Sequence, residues 1–295
     1  MANFETTTLG PPVACIWPLG CVLGEGPVWW QNALWFTDIK QRTLYRYCPE
    51  TGGKRSWPAP SEVGFLAPMK NNHFIAGARN GLYEFDPSSG SFAFIRTVEP
   101  DRPGNRLNDG AVDASGRLWF GSMDDAERAA TGSLYCLDRG SLARMDAGYI
   151  VTNGPAFSPE GRVLYHADSL ARTIYAFDLG EDGSLANKRV FAVIEEGAGL
   201  PDGLTVDSEA CVWTGLFGGW AVRRYSPQGA LLESLAFPVA NITKIAFGGD
   251  RLTTAYVTTA SIGVTGTSQP LAGGLFCFDA KVPGQPQFCT ATEAN

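Results

Sequence analysis

Histidine is nearly absent from this chain: His73 and His166 are the only two in 295 residues. Paired cysteines are missing as well. The seven cysteines, at positions 15, 21, 48, 136, 211, 277 and 289, are odd in number and never form a Cys-x-x-Cys. Zinc knuckles and disulfide frameworks depend on such spacing, so neither is expected. The pattern suits small buried thiols in a reducing cytoplasm. Apolar runs reach only a few residues, far short of the ~20 that a membrane helix needs. The opening MANFETTTLGPP lacks both the basic and the apolar stretch of a secretory leader. Basic residues are outnumbered 23 to 30, giving a net charge of −7 with no Lys/Arg cluster. A nucleic-acid partner is therefore not expected. A Gly-x-Ser-x-Gly elbow is absent, which argues against a serine esterase. The glycines of GEGP and FGGD precede no helix, so they form no phosphate cradle. Helical periodicity is scarce too; DDAERAA, 124–130, is its best instance.

Glycine, by contrast, is plentiful at 35 residues, and aromatics make up 12% of the chain. That composition is not a disordered one. Short β-branched or aromatic runs alternate with Gly, Pro, Asp and Ser, which predicts an all-β fold. The runs repeat. Leu44–Tyr47, Leu82–Phe85, Leu134–Leu137, Ile174–Phe177, Val222–Tyr225 and Leu275–Phe278 share one register. Each follows another short strand, such as ALWFTD (33–38) or RLWFGS (117–122). Most precede a further one, such as KRSWPA or NKRVFAVI. A fourth opens each unit: EGPVWW, GFLAPM, NDGAVD, NGPAFS, DGLTVD and TKIAFG. Four strands repeated six times predict a six-bladed β-propeller with four-stranded blades, one domain over 1–295. The Gly-His…Trp-Asp signature of WD40 arrays is absent. The last outer strand is either Val13–Trp17 or Pro286–Thr290. VACIW precedes Glu25 much as KRVFAVI precedes Asp202, which favours residues 13–17 and ties the two termini into one blade. A ring closed in this way has no free edge and no need of a partner, so a monomer is expected.

The innermost strands of a propeller line its central channel. Aligning the six on their apolar pairs, as in Val28-Trp29 or Thr205-Val206, gives one equivalent position per blade: Glu25, Gly64, Asn108, Asn153, Asp202 and Thr243. Asn and Asp favour turns before strands, and that preference accounts for the Asn/Asp-Gly pairs. It does not account for Glu25 in the same register. The sharper reading is a ring of oxygen ligands around a hard cation on the channel axis. His and Cys are missing at this level, which argues against a typical zinc constellation.

LGEGPVWW, RLNDGAVDASGRLWFGSM, TNGPAFSPEGRVLYHADS, PDGLTVD and AFGGDRLTTAYVTTA occur in this order and at blade spacing. Together they resemble the SMP-30/gluconolactonase/luciferin-regenerating-enzyme (regucalcin-like) family, over about residues 15–280. WFTDIKQRTLYRY and NITKIAFGG are most similar to its bacterial sugar-lactone (pentonolactone) lactonases. The resemblance implies one divalent metal ion in the channel (Ca²⁺, Zn²⁺, Mn²⁺, Mg²⁺ or Fe²⁺). It also implies hydrolysis of a small-molecule sugar lactone: xylono-, arabinono-, galactono- or gluconolactone. Carried over residue by residue, Glu25, Asn153 and Asp202 match the metal ligands. Asp202 also matches the acid/base, although pure ligation is its alternative role. Arg106 and Asn108 match the substrate-binding pair. All but Arg106 were reached independently by the repeat alignment.

The chain also departs from the animal members of that family. The stretch after the Gly-Ser-Met turn reads SMDDAERAATG, leaving Asp124 and Asp125 as candidates for substrate contact. Asn153-Gly154-Pro155-Ala156-Phe157 replaces Asn-Gly-Leu-Asp-Trp, so an aspartate is lost there. Lys244, next to the sixth ring position, is a candidate to flank the site, and Trp220 to wall the pocket. His166 is read as a core residue with some reach toward the channel mouth, His73 as surface or core, and Asp38 and Asp168 as turn residues. Two other functions stay open: hydrolysis of other esters or organophosphates on the same scaffold, and a non-catalytic propeller that binds metal or protein.

Overall fold

The computed structural model describes residues 12–291. Among the described residues there is no helix, and twenty-four strands form six four-stranded antiparallel sheets. The first five blades span residues 24–58, 63–97, 105–149, 152–193 and 200–236. Each runs from its innermost strand outward in sequence order. The sixth takes three strands from 241–279 and its outer strand from Ala14–Trp17. That strand lies antiparallel to Leu275–Asp279, with Ala14 opposite Cys277. All six blades of the predicted propeller are therefore present. No helix among the described residues is long and apolar enough to cross a membrane.

DDAERAA is not helical. The strand Leu118–Asp124 runs into it, and the Asp124 carboxylate then accepts from the amides of Ala126, Arg128 and Ala129 at 3.2, 3.0 and 3.0 Å. Seven residues are too few to nucleate a helix without tertiary support, and a local carboxylate turn outcompetes it.

Packing between blades follows a repeated device. VDASGRLW and VDSEACVW each place an aspartate six residues before a tryptophan. The indole Nε1 of Trp119 donates to Asp113 Oδ2 at 2.9 Å, and that of Trp213 to Asp207 Oδ2 at 2.8 Å. Arg117 and Arg224 neutralise those buried carboxylates. The large rings can then be buried with their polar edge satisfied.

Two features of the ring position the site. First, every innermost strand slips register once against its neighbour, between Glu25 and Val28, Val63 and Phe65, Leu107 and Gly110, Asn153 and Ala156, Pro201 and Leu204, and Ile242 and Ile245. Such bulges re-aim side chains. Second, Pro286–Thr290 is not a blade strand; it crosses the far end of the channel. Gln285 Nε2 donates to the carbonyls of Phe157 and Val206 at 2.8 and 3.1 Å. The Thr290 amide donates to Pro68 at 2.8 Å. Phe288 packs among Ala67, Met69 and Val112. The tail therefore caps a cavity walled by Val28, Ala67, Val112, Ala156, Val206 and Phe247.

Candidate active site

At the end of the channel opposite the tail, the inner strands of four blades line a second pocket. Glu25, Arg106, Asn108, Asn153 and Asp202 all line it. Each is at most 7% exposed. The other two ring positions take no part. Gly64 has no room for a side chain, because a Cβ there would lie 1.9 Å from the Asn108 carbonyl oxygen. Thr243 turns its hydroxyl to the Gly24 carbonyl at 2.6 Å and to Thr258 at 2.8 Å, so it stitches the sixth blade to the first.

The polar wall is a hydrogen-bond chain. Arg106 donates from Nε to Asp125 at 2.9 Å and from its guanidinium to Asn108 Oδ1 at 2.5 Å. Asn108 Nδ2 donates to the Thr152 carbonyl at 2.7 Å and to Asn153 Oδ1 at 3.2 Å. Asn153 Nδ2 donates to Ser169 Oγ at 2.8 Å. Both amides are therefore fixed in orientation. The pocket's other wall is apolar: Leu23, Val151, Leu170, Leu200, Phe217 and Ile262.

The two carboxylates are treated differently. Among the described residues the Glu25 carboxylate accepts only from the adjacent Gly26 amide, at 2.8 Å. Among the described residues nothing donates a hydrogen bond to the Asp202 carboxylate. Burial, then the charge of Asp109, pushes Glu25 well above the ordinary carboxylate range. Burial, then Glu25, then Asp109 does the same to Asp202. Buried anions without partners are costly. No three His, Cys, Asp or Glu side chains among the described residues form a metal-holding group. A cation here would need the fixed Asn153 amide oxygen as its third protein ligand. Two donor-poor carboxylates and one amide oxygen are the hard oxygen set that a divalent ion takes, so the residues present fit such an ion.

The remaining candidates separate cleanly. Asp125 sits at the edge of the site, bonded to Arg106, to Arg79 and to Lys40, the last at 2.8 Å. Against burial, those three cations hold it below its ordinary range. Asp124 caps its turn instead. Lys244 is buried below the pocket and pairs with Asp109. Trp220 is 45% exposed and absent from the lining. His166 does not reach the mouth; it is fully buried between blades, against the Tyr149 ring at 4.8 Å. His73 lies partly exposed beside Glu84, 2.6 Å away. Asp38 and Asp168 accept from backbone amides at turns.

Sequence reasoning missed Lys40, Glu127 and Ser169, which line the pocket from neighbouring turns. It also missed Asp109. Strand alternation would turn Asp109 away from Asn108, but the bulge between Leu107 and Gly110 leaves both facing inward. The Asn-Asp-Gly triplet was the available signal.

The SMP-30/Gluconolactonase/LRE-like region profile matches residues 23–261. The chain belongs to that family. Among its relatives is a 6-deoxy-6-sulfogluconolactonase of Pseudomonas putida, 32% identical over 92% of this chain and 95% of its own. Another is the L-arabinolactonase of Azospirillum brasilense, 34% identical over 89% and 90%. A solved structure described as a calcium-binding protein, regucalcin, from Agrobacterium tumefaciens superimposes with a TM-score of 0.91. It is 26% identical and matches over 95% of this chain and 97% of that one.

Proposed function

We propose that this member of the family is a metal-dependent hydrolase of uncharged sugar aldonolactones. The observation that carries the reading is the donor-poor pair Glu25 and Asp202, set in one pocket with the fixed Arg106–Asn108 fork. The lactonase relatives and the calcium-binding neighbour support it. Glu25, Asn153 and Asp202 would hold the ion. When bound, the ion supplies Lewis-acid polarisation of the lactone carbonyl.

The chain's own residues do the rest. Arg106 presents a planar guanidinium, and Asn108, whose two amide hydrogens are taken by Thr152 and Asn153, presents its carbonyl oxygen, so together they grip sugar hydroxyls and orient the ring. Asp202 accepts the proton of the water whose oxygen attacks the carbonyl carbon. It returns that proton to the ring oxygen as the carbon–oxygen bond breaks, giving the open hydroxy acid. The apolar wall limits water around the reacting atoms. Lys40 and Arg106, the two cations that line the pocket among the described residues, are both engaged by Asp125, which favours an uncharged substrate. The whole chain is taken to act as one monomeric unit, and its seven free thiols fit a cytoplasmic setting.

The test is lactone opening by pH-stat on metal-stripped protein, resupplied with one ion at a time. Substrates are xylono-, arabinono-, galactono- and gluconolactone. Metal-restored turnover that Asp202→Asn abolishes is expected. Turnover no faster than spontaneous opening with every ion would overturn the reading in favour of other esters or a binding propeller.

A further inference from the structure

Directly below the pocket lies a buried ion pair that the reading above leaves without a role. Lys244 Nζ is 2.5 Å from Asp109 Oδ1, and both side chains are buried. Asp109 is the third carboxylate of the channel, and its charge reaches both Glu25 and Asp202. The three acids differ in their partners. Asp109 also accepts from the Gly110 amide at 2.7 Å and the Gly154 amide at 3.0 Å, so both of its oxygens are occupied. Asp202 has no donor at all among the described residues.

The surrounding chain makes room for the lysine. A Cβ at Gly203, next to Asp202, would lie 2.4–2.6 Å from Cβ, Cγ and Cδ of Lys244. The aliphatic stem therefore lies flat against that glycine. Lys244 and Asp109 each occupy a bulge of their own strand, at 242–245 and 107–110. Two separate irregularities thus point them at each other across the ring.

We propose that Lys244 is a resident counter-ion that keeps Asp109 out of the metal shell and so limits the channel to one divalent ion. The inference rests on the metal-binding reading of Glu25, Asn153 and Asp202. Without the ammonium, three carboxylates would share the axis, and one divalent ion would leave an uncompensated negative charge that attracts a second. With it, Asp109 and Lys244 form a neutral unit, and the charge of one divalent ion balances that of Glu25 and Asp202.

The experiment is calorimetric titration of metal-stripped protein with Mn²⁺ and with Ca²⁺, read as stoichiometry and affinity, with thermal melting as a folding control. Wild type is expected to bind one ion. Lys244→Met frees Asp109 and is expected to bind two ions, or one ion at least tenfold more tightly. Asp109→Asn leaves the ammonium unpaired and is expected to weaken binding on the order of tenfold or more. The double variant is expected to return to one ion at an affinity near wild type. If Lys244→Met does not fold, Asp109→Asn alone decides. Wild-type binding of one ion, with Asp109→Asn unchanged or tighter, would overturn this proposal and leave the metal-binding reading standing. Wild type that binds no ion would overturn both. The readout is binding, so failure of the lactonase chemistry is seen separately.

Discussion

The two ends of the channel are built from the same six strands and have opposite chemistry. At one end the strands place Glu25, Asn108, Asn153 and Asp202 along the polar wall of an open pocket. About four residues further along, the same strands present Val28, Val112, Phe157 and Val206, and the tail closes over them. The boundary is the row of bulges. Above it lie the polar groups of the proposed site; below it, apolar packing and the tail's hydrogen bonds hold the ring shut. Substitutions above should therefore change turnover, and substitutions below should change stability.

The largest expected effect tests that division directly. Asp202→Asn is expected to lower kcat by roughly 10²–10⁴-fold, the usual worth of a positioned acid/base, without lowering the melting temperature. Gln285→Ala strips two donors from the Phe157 and Val206 carbonyls and is expected to lower the melting temperature by a few degrees, for about 1–2 kcal/mol. Its kcat should stay within about twofold. A Gln285 variant as inactive as Asp202→Asn would erase the contrast between the two ends.

Gly64 sits on the boundary itself. Gly64→Ala forces a Cβ to 1.9 Å from the Asn108 carbonyl. It is expected to cost about 3 kcal/mol or more in urea unfolding and to displace Asn108, so both stability and KM should suffer.

Outside the channel, His166 supplies a control for acid sensitivity. Among the described residues neither ring nitrogen has a hydrogen-bond partner, and burial depresses the imidazole from about 6.5 to about 3. Above pH 6.5 neither folded nor unfolded chain protonates it. As pH falls below that, the unfolded chain binds the proton and the folded one does not, so stability drops. At pH 5 the loss is about 2 kcal/mol. His166→Leu should remove that component, which the difference between urea midpoints at pH 7 and pH 5 would show. An unchanged pH difference would mean that the ring is protonated in the fold.

The smallest effect expected lies at the pocket's edge. Asp125→Asn leaves Arg106 in place with a weaker partner, and KM for a good substrate is expected to rise about tenfold. The accompanying change in kcat should stay within about threefold. A large kcat loss would make Asp125 more than a positioning residue.

Four strands in six registers could be read from the sequence because each strand of a propeller carries its own short apolar run between turn residues. Glu25, Asn108, Asn153 and Asp202 could be located because equivalent positions of equivalent strands share a height in the ring. Arg106 was reached only by resemblance, since no repeat period marks it. Asp109 and Lys244 were hidden by the bulges, which break the two-residue alternation on which such counting depends. Lys40, Glu127 and Ser169 lie on turns from different blades, and no sequence period brings turns together.

The sequence by itself determined the six repeats, the all-β architecture and the height at which oxygen-bearing side chains gather, because all three follow from local periodicity. Only the tertiary structure decided which acids stay unpaired, that Lys244 claims Asp109, and that the tail closes the far end of the ring. Those depend on partners far apart in sequence, 135 residues for Lys244 and Asp109 and 79 for Gln285 and Val206, and pairing between buried charges is set by distance in space rather than by position along the chain.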